Sequence, residues 1–458
     1  MDCPLNWTQL LSSERTRRKP AGETTPSRQV PDGERRTSFE QDYDRIVFSP
    51  PFRRLAKKTQ VHPMASNDHI HNRLTHSIEV ASVARSFARR VAALIAPADL
   101  SAKQRTSIDW IVQSACLIHD IGNPPFGHAG EEVIRTWAQK HWDYIFPASL
   151  RNDPERQHWT AEEEAQIRAD WEIFEGNAQG FRIASRRDNP QAGYLRLTYA
   201  TLGSVVKYPW GSVDAKRCGK RKHNFHSHER EIFAETFQSL GLVRGDGSYC
   251  RHPLSFLTEA ADDICYRILD LEDAVAMHIF EQKRVHQLML KITGNQENHW
   301  MGLAQLRGQA INQLVGEFWK VFESDYAAIM QGDRQDDLKS SLPSEFKEHL
   351  QQVAEMYEEI FGHRKKIVTE LGAYRVLGRI LRALLKTVES IGNASNYGEL
   401  HFLSKNCAEL AWSKEYVEAN LDKSHAWWLG QVMDFVSGMT DNYATRLSRE
   451  LDGLALEG

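Results

Sequence analysis

His119 and Asp120 stand side by side within CLIHDIGNPPFGHAGEE, residues 116–132. One imidazole nitrogen beside one carboxylate oxygen is a mixed donor set that suits a divalent cation such as Mn²⁺ or Mg²⁺. The pair ends an apolar run (Ile111, Val112, Ala115, Cys116, Leu117, Ile118) and precedes Pro124-Pro125, which breaks a helix. A buried helix is expected to open into a loop here. A cation needs further ligands. Upstream, RLTHSIEVA puts His76 at the start of an amphipathic segment. Downstream, EAADDICYRILDLEDA puts Asp262 and Asp263 on a largely apolar helix, where an unpaired carboxylate is costly.

Other residues are spaced for acid–base work and for holding a ligand. His128 and Glu131 lie at i and i+3 and share a face if a helix begins at GHAGE. The carboxylate would then orient the imidazole and favour its protonated form, as proton transfer requires. Asp262, Tyr266 and Asp270 fall four and eight residues apart, along one helical stripe. Arg73, three residues before His76, can bond phosphate oxygens in a fork. A basic, His-rich loop, DAKRCGKRKHNFHSH, contains Lys222.

The elements that would position these residues read as helices. Apolar residues recur at helical spacing over 77–95, 107–118, 131–141, 257–279, 304–329, 343–361, 373–391, 408–417 and 426–451. Alternating β-branched runs are nearly absent, so the expected fold is all-α. Residues 12–37 are polar and aperiodic, so residues 1–38 are expected to form a flexible basic arm, with the folded part starting near Phe39. Residues 152–170 read as a polar insertion.

Bulk properties exclude several classes. The 458-residue chain carries a net charge of −4, so any nucleic-acid or membrane contact would have to be local. No apolar stretch reaches membrane-spanning length, and the N-terminus has no apolar signal core. Six cysteines without a CxxC spacing fit a reduced, cytoplasmic protein.

RLTHSIEVA, CLIHDIGNPPFGHAGEE, FEGNAQGFRI, EAADDICY and SGMTDNYA together resemble the deoxyguanosinetriphosphate triphosphohydrolase family of the HD-domain phosphohydrolase superfamily. The stretches run in family order over nearly the whole chain. The resemblance implies an HD-domain helical core over 39–285. It also implies a C-terminal helical region over 286–458 that completes the pocket and offers an oligomer interface. His76, His119, Asp120 and Asp262 are implied as ligands of a divalent metal (Mn²⁺ or Mg²⁺), with Asp262 preferred to Asp263. His128 and Glu131 are implied as the catalytic pair. The implied reaction converts a deoxynucleoside triphosphate, dGTP favoured, to deoxynucleoside plus triphosphate by attack at the α-phosphorus.

The same resemblance implies substrate contacts. Tyr266 would pack under the deoxyribose, Asp270 would accept the 3′-hydroxyl, and Gln60 would reach the sugar edge. Arg73, the Lys207-Tyr208 pair and Lys222 would hold phosphates. Residues 370–376, ELGAYRV, match a segment that completes the pocket. Ile173 stands where some relatives carry a histidine, and residues 389–403 lack the cationic stretch of some dGTP-selective members. Relatives assemble into ring-like or stacked homo-oligomers, often hexamers, and some bind single-stranded DNA, which Arg15, Arg17, Arg18 and Lys19 of the arm could contact. Three readings stay beside the first: a broader dNTPase needing nucleotide activation, an HD hydrolase of another nucleotide, and a nucleotide-sensing or single-stranded-DNA-binding protein.

Overall fold

The helix that carries His76 begins where Asn72 caps it. The Asn72 side chain accepts from the N–H groups of Leu74 and Thr75, each at 3.0 Å, satisfying two of the donors a helix start leaves free. Arg73–Leu94 follows, and its buried face carries Val80, Ala84, Phe87 and Val91. A computed structural model describes residues 4–15, 36–60, 70–95, 99–151, 160–186, 195–294, 296–362 and 364–454. Among them the fold is all-α, as expected, with isolated β-bridges and no strand. No helix among them is long and apolar enough to cross a membrane.

Three helices position the chemistry. Arg73–Leu94, Ala102–Ile118 and Pro253–Ala276 pack closely on one another and contribute Val91, Ile111 and Ile264 to one core. That core runs from Leu5 to Tyr357. A second core joins the helices His128–Lys140 and Ala161–Glu172 to residues 373–447. Its axis is the long helix Arg364–Asn393, which packs against His128–Lys140, Phe402–Trp412, His425–Ser437 and Asp441–Leu451. The chain beyond residue 285 is therefore shared. Apolar residues from Leu288 to Tyr357 serve the first core, and those from Ala373 to Leu447 serve the second.

The expected arm differs from the structure over 4–15. Leu5, Trp7, Leu10 and Leu11 are buried in the first core, and Trp7 Nε1 donates to the Tyr326 hydroxyl at 2.6 Å. Arg15 pairs with the fully buried Asp42 and donates to the carbonyls of Ser38 and Arg196, so it is held within the fold. Four apolar residues in a short segment outweigh its polar neighbours. Arg17, Arg18 and Lys19 lie outside the described residues.

Three expected helices are broken, the first of them the run 304–329, which Asp325 divides into Leu303–Ser324 and Tyr326–Met330. Ser413, at φ 70°, ends Phe402–Trp412 and caps Lys414–Glu418. Thr440 caps Asp441–Leu451 by accepting from the Tyr443 N–H at 3.2 Å. Of the polar insertion, residues 152–159 lie outside the described residues, and from Thr160 on a capping box between Thr160 and Glu163 starts the helix Ala161–Glu172. The basic loop is half interior: His223, Asn224, Phe225 and His226 are buried.

Candidate active site

The first two helices end at one place. His76 lies in the first turn of Arg73–Leu94, and His119 caps the end of Ala102–Ile118. Asp262 comes from the first half of Pro253–Ala276. Donor atoms of His76, His119 and Asp120 all lie within 4.8 Å of one another. Asp262 Oδ1 is 3.1 Å from His76 Nε2 and 3.4 Å from His119 Nε2. Asp263, the alternative, also borders the cavity but pairs with Arg267 and Lys339 and not with the two histidines.

These residues fit a divalent cation. The Cys116 carbonyl lies 2.6 Å from His119 Nδ1, so Nδ1 carries the proton and the Nε2 lone pair faces the cluster. Two imidazoles and two carboxylates form an N₂O₂ set suited to Mn²⁺ or Mg²⁺. Both acids are held ionised. Burial opposes ionisation of Asp120, but Arg73, His119 and His76 override it and keep its carboxyl well below the usual range. Asp262 is likewise buried, and Lys207 and His119 hold its carboxyl well below normal.

The loop after His119 is fixed by backbone packing. A Cβ on Gly122 would lie 2.0 Å from the Gly180 nitrogen and 2.2 Å from the Gly176 oxygen, so the loop presses directly on the helix Gly176–Ser185. A Cβ on Gly176 would fall 2.1 Å from Asn123 Oδ1. That room lets the Asn123 amide reach Asp120. Phe126 has a positive φ of 66°. Its N–H donates to Asp441 Oδ1 at 2.9 Å, an anchor 315 residues along the chain that holds the strained conformation.

His128 opens the next helix. Its Nδ1 sits 3.0 Å from Glu131 Oε2, and the imidazole is 66% exposed while Glu131 is 2% exposed. Glu131 also accepts from Arg135 at 3.1 Å and from the Gly176 N–H at 2.8 Å. Burial raises its pKa, but His128, Lys222 and Arg135 lower it to about 2. The ionised carboxylate fixes the Nδ1 proton of His128 and leaves Nε2 for the cavity that His128 lines.

That cavity is about 190 Å³ and is lined by Gln60, Arg73, His119, Asp120, His128, Glu131, Lys207, Tyr208, Lys222, Asp262 and Tyr266. The structure therefore brings together eleven of the thirteen residues singled out from the sequence. His76 is buried behind the wall, with its Nε2 turned to Asp262. Asp270 is also off the wall: it is 1% exposed, and its Oδ2 lies 2.7 Å from the Tyr357 hydroxyl. Burial pushes its carboxyl well above the usual range. Residues 370–376 do not line the cavity either; Ala373 and Tyr374 pack into the second core.

Lys207 reaches Asp262 Oδ2 at 2.6 Å, and Lys222 reaches Glu175 at 2.9 Å. Burial disfavours both ammonium groups, but Asp262 keeps Lys207 charged and Glu175 with Glu131 keeps Lys222 charged. Arg73 completes a cationic wall and pairs with Asp120. Gln60 Oε1 is buried with no hydrogen-bond partner among the described residues.

Three site residues escaped the sequence reading. Glu175, inside FEGNAQ, lines the cavity and holds Lys222. Asn224 accepts from the N–H groups of Lys207 at 3.0 Å and Tyr208 at 2.7 Å, fixing that pair. Tyr357 stacks on Tyr266, with centroids 4.8 Å apart and planes within 3°. The FEGN motif could have flagged Glu175. Nothing local in the sequence marks Asn224 or Tyr357.

A family model described as "HD domain" matches residues 73–158. A "Deoxyguanosinetriphosphate triphosphohydrolase-like protein" of Pseudomonas aeruginosa (strain LESB58) is 38% identical over 98% of this chain and 99% of its own length. A protein of the same description from Synechocystis is 35% identical over 99% of this chain and 100% of its own. A "Deoxyguanosinetriphosphate triphosphohydrolase" of Klebsiella pneumoniae is 29% identical over 89% of this chain and 92% of its own.

Proposed function

The chain belongs to the deoxyguanosinetriphosphate triphosphohydrolase family of HD-domain phosphohydrolases, and from that premise we propose that it hydrolyses deoxynucleoside triphosphates, dGTP foremost, at the α-phosphorus. The products are deoxynucleoside and intact triphosphate. The observation that carries this reading is one cavity holding the His119–Asp120–Asp262 carboxylate and imidazole groups, the His128–Glu131 pair and the three cations Arg73, Lys207 and Lys222.

His76, His119, Asp120 and Asp262 would hold a divalent metal, whose chemistry is to polarise a phosphoryl oxygen and lower the pKa of water. The chain's own residues supply the rest. Arg73, Lys207 and Lys222 bind the triphosphate, and Tyr208 and Asn177 add polar groups on the same wall. His128 exchanges a proton with the reacting oxygen through Nε2, while Glu131 keeps the ring oriented. A 5′-alkoxide is a poor leaving group, so a positioned proton donor beside it matters most. Tyr266, held flat by its stack on Tyr357, packs against the sugar and crowds the 2′ position. Gln60 offers its unpartnered oxygen to a sugar hydroxyl.

The test is turnover of each of the four dNTPs and of GTP by purified protein with Mn²⁺, resolving nucleoside, monophosphate and tripolyphosphate. Deoxynucleoside with tripolyphosphate is expected, fastest with dGTP and slowest with GTP. Release of monophosphate with pyrophosphate would mean that the bond to the β-phosphate, not the bond to the 5′-oxygen, breaks, and would overturn the reading.

A further inference from the structure

The loop that carries Asp120 has two sides. Asp120 and Asn123 face the candidate active site, and Ile121 between them faces a second cavity of about 490 Å³. Its walls include Arg54, Lys58, Trp412, Tyr416, Gln431 and Phe435. A cavity of this size with aromatic walls and a few placed polar groups is the usual form of a small-molecule site.

Among the described residues, two polar groups there lack partners. Gln431 is 1% exposed, and its Oε1 accepts from Arg186 at 3.0 Å and lies 3.1 Å from the Tyr416 hydroxyl. Arginine only donates, so the amide orientation is fixed. Its Nε2 is left as a buried donor with no acceptor. Such a group is costly to leave buried unless something accepts from it. Arg54 is half-buried, and among the described residues its guanidinium has no hydrogen-bond or ion-pair partner. Asp434, the acid on this wall, is already bound to Arg182 and Arg186. Lys58 donates to the carbonyls of Asn123, at 2.6 Å, and Ser437, neither of which neutralises it. Asp441 and Asp120 offset its charge only from a distance. Burial above all, and then Arg54 and Arg73, lower the Lys58 pKa to about 7 against Asp441 and Asp120.

We propose that this cavity is a second binding site, separate from the candidate active site, for a planar aromatic molecule bearing one anionic group, a carboxylate or a phosphate monoester. The anion pairs with Arg54 beside Lys58, an acceptor on the molecule takes the Gln431 Nε2 proton, and the ring lies among Trp412, Tyr416 and Phe435. One unpaired guanidinium matches one anionic group. A triphosphate would lack the cationic wall that Arg73, Lys207 and Lys222 provide in the other cavity.

Isothermal titration of the full chain distinguishes the sources. The probes are 4-hydroxybenzoate for a carboxylate and deoxyguanosine 5′-monophosphate for a phosphate monoester, with inorganic phosphate to measure the anion alone. Saturable binding of at least one aromatic probe is expected, tighter than phosphate. Arg54→Gln should weaken it by about tenfold or more, equivalent to about 1.4 kcal/mol. Lys207→Gln should leave it unchanged. Gln431→Glu gives a second handle, since a carboxylate still accepts from Arg186 but repels the ligand. No saturable binding of either aromatic probe overturns the proposal. So does an affinity that Arg54→Gln and Gln431→Glu leave intact, or one that Lys207→Gln abolishes instead.

Discussion

Glu131 stays ionised inside the fold because His128, Arg135 and the Gly176 N–H all bond to it. Replacing it with glutamine keeps the volume but ends the charge that orients His128. Glu131→Gln and His128→Ala should each lower kcat by about 10²–10⁴-fold. Binding of a non-hydrolysable dNTP analogue should change little in either, and a loss of binding equal to the loss of rate would remove both from catalysis. His71 is a residue with a different kind of consequence. Its ring bonds to Asp273 and Glu79, which raise its pKa to about 10 against burial. A raised histidine stabilises the fold fully below its unfolded value near 6.5, and that stability is lost as pH rises towards 10. Urea unfolding of His71→Gln should therefore show a deficit at pH 6 that closes by pH 10. A deficit independent of pH would mean the ring acts only by packing. Residue contacts were legible when partners were near in sequence, as with His128 and Glu131 at i and i+3. Asn224 and Tyr357 were not, because their partners Lys207 and Tyr266 lie 17 and 91 residues away.

At the scale of elements, the site is held by a contact with no side chain on one face. Gly122 meets the backbone of Gly176 and Gly180, so Gly122→Ala must push the loop that carries Asp120 off the helix Gly176–Ser185. A cost of about 1–3 kcal/mol is expected for such overpacking. Because Asn123 and Asp120 move with the loop, activity should fall further than stability does. Unchanged kcat/KM with an unchanged melting temperature would show that the loop has slack. Helices with a continuous apolar stripe, such as Pro253–Ala276, were readable from spacing alone. Gly176–Ser185 and Tyr199–Val205 were not, because they are buried nearly all round and too short for a period to show. The breaks at Ser413 and Thr440 were missed for another reason: the apolar stripe continues through them while side-chain caps end the backbone.

For the whole molecule, three helices converge their donors on one point, and the cluster sits there with its charges facing inward. A cation that binds only the folded chain stabilises it by about 2.7 kcal/mol at roughly 100 times its dissociation constant. Mn²⁺ should thus raise the melting temperature by a few degrees, and His119→Ala should abolish the rise while the chain remains folded. An equal rise in that variant would place the metal elsewhere. Net charge of −4 does not reveal the cationic wall, since Arg73, Lys207 and Lys222 are outnumbered over the whole surface. The long-range ties have one more consequence. Lys58 donates to Ser437, 379 residues away, and Thr59 and Phe126 both hang on Asp441. A ribosome making this chain releases the loop that carries Asp120 well before Ser437 and Asp441. A copy whose synthesis has not yet reached Asp441 is thus born without the anchors of that loop, and a message cut short before that point yields a protein whose site is never tied down.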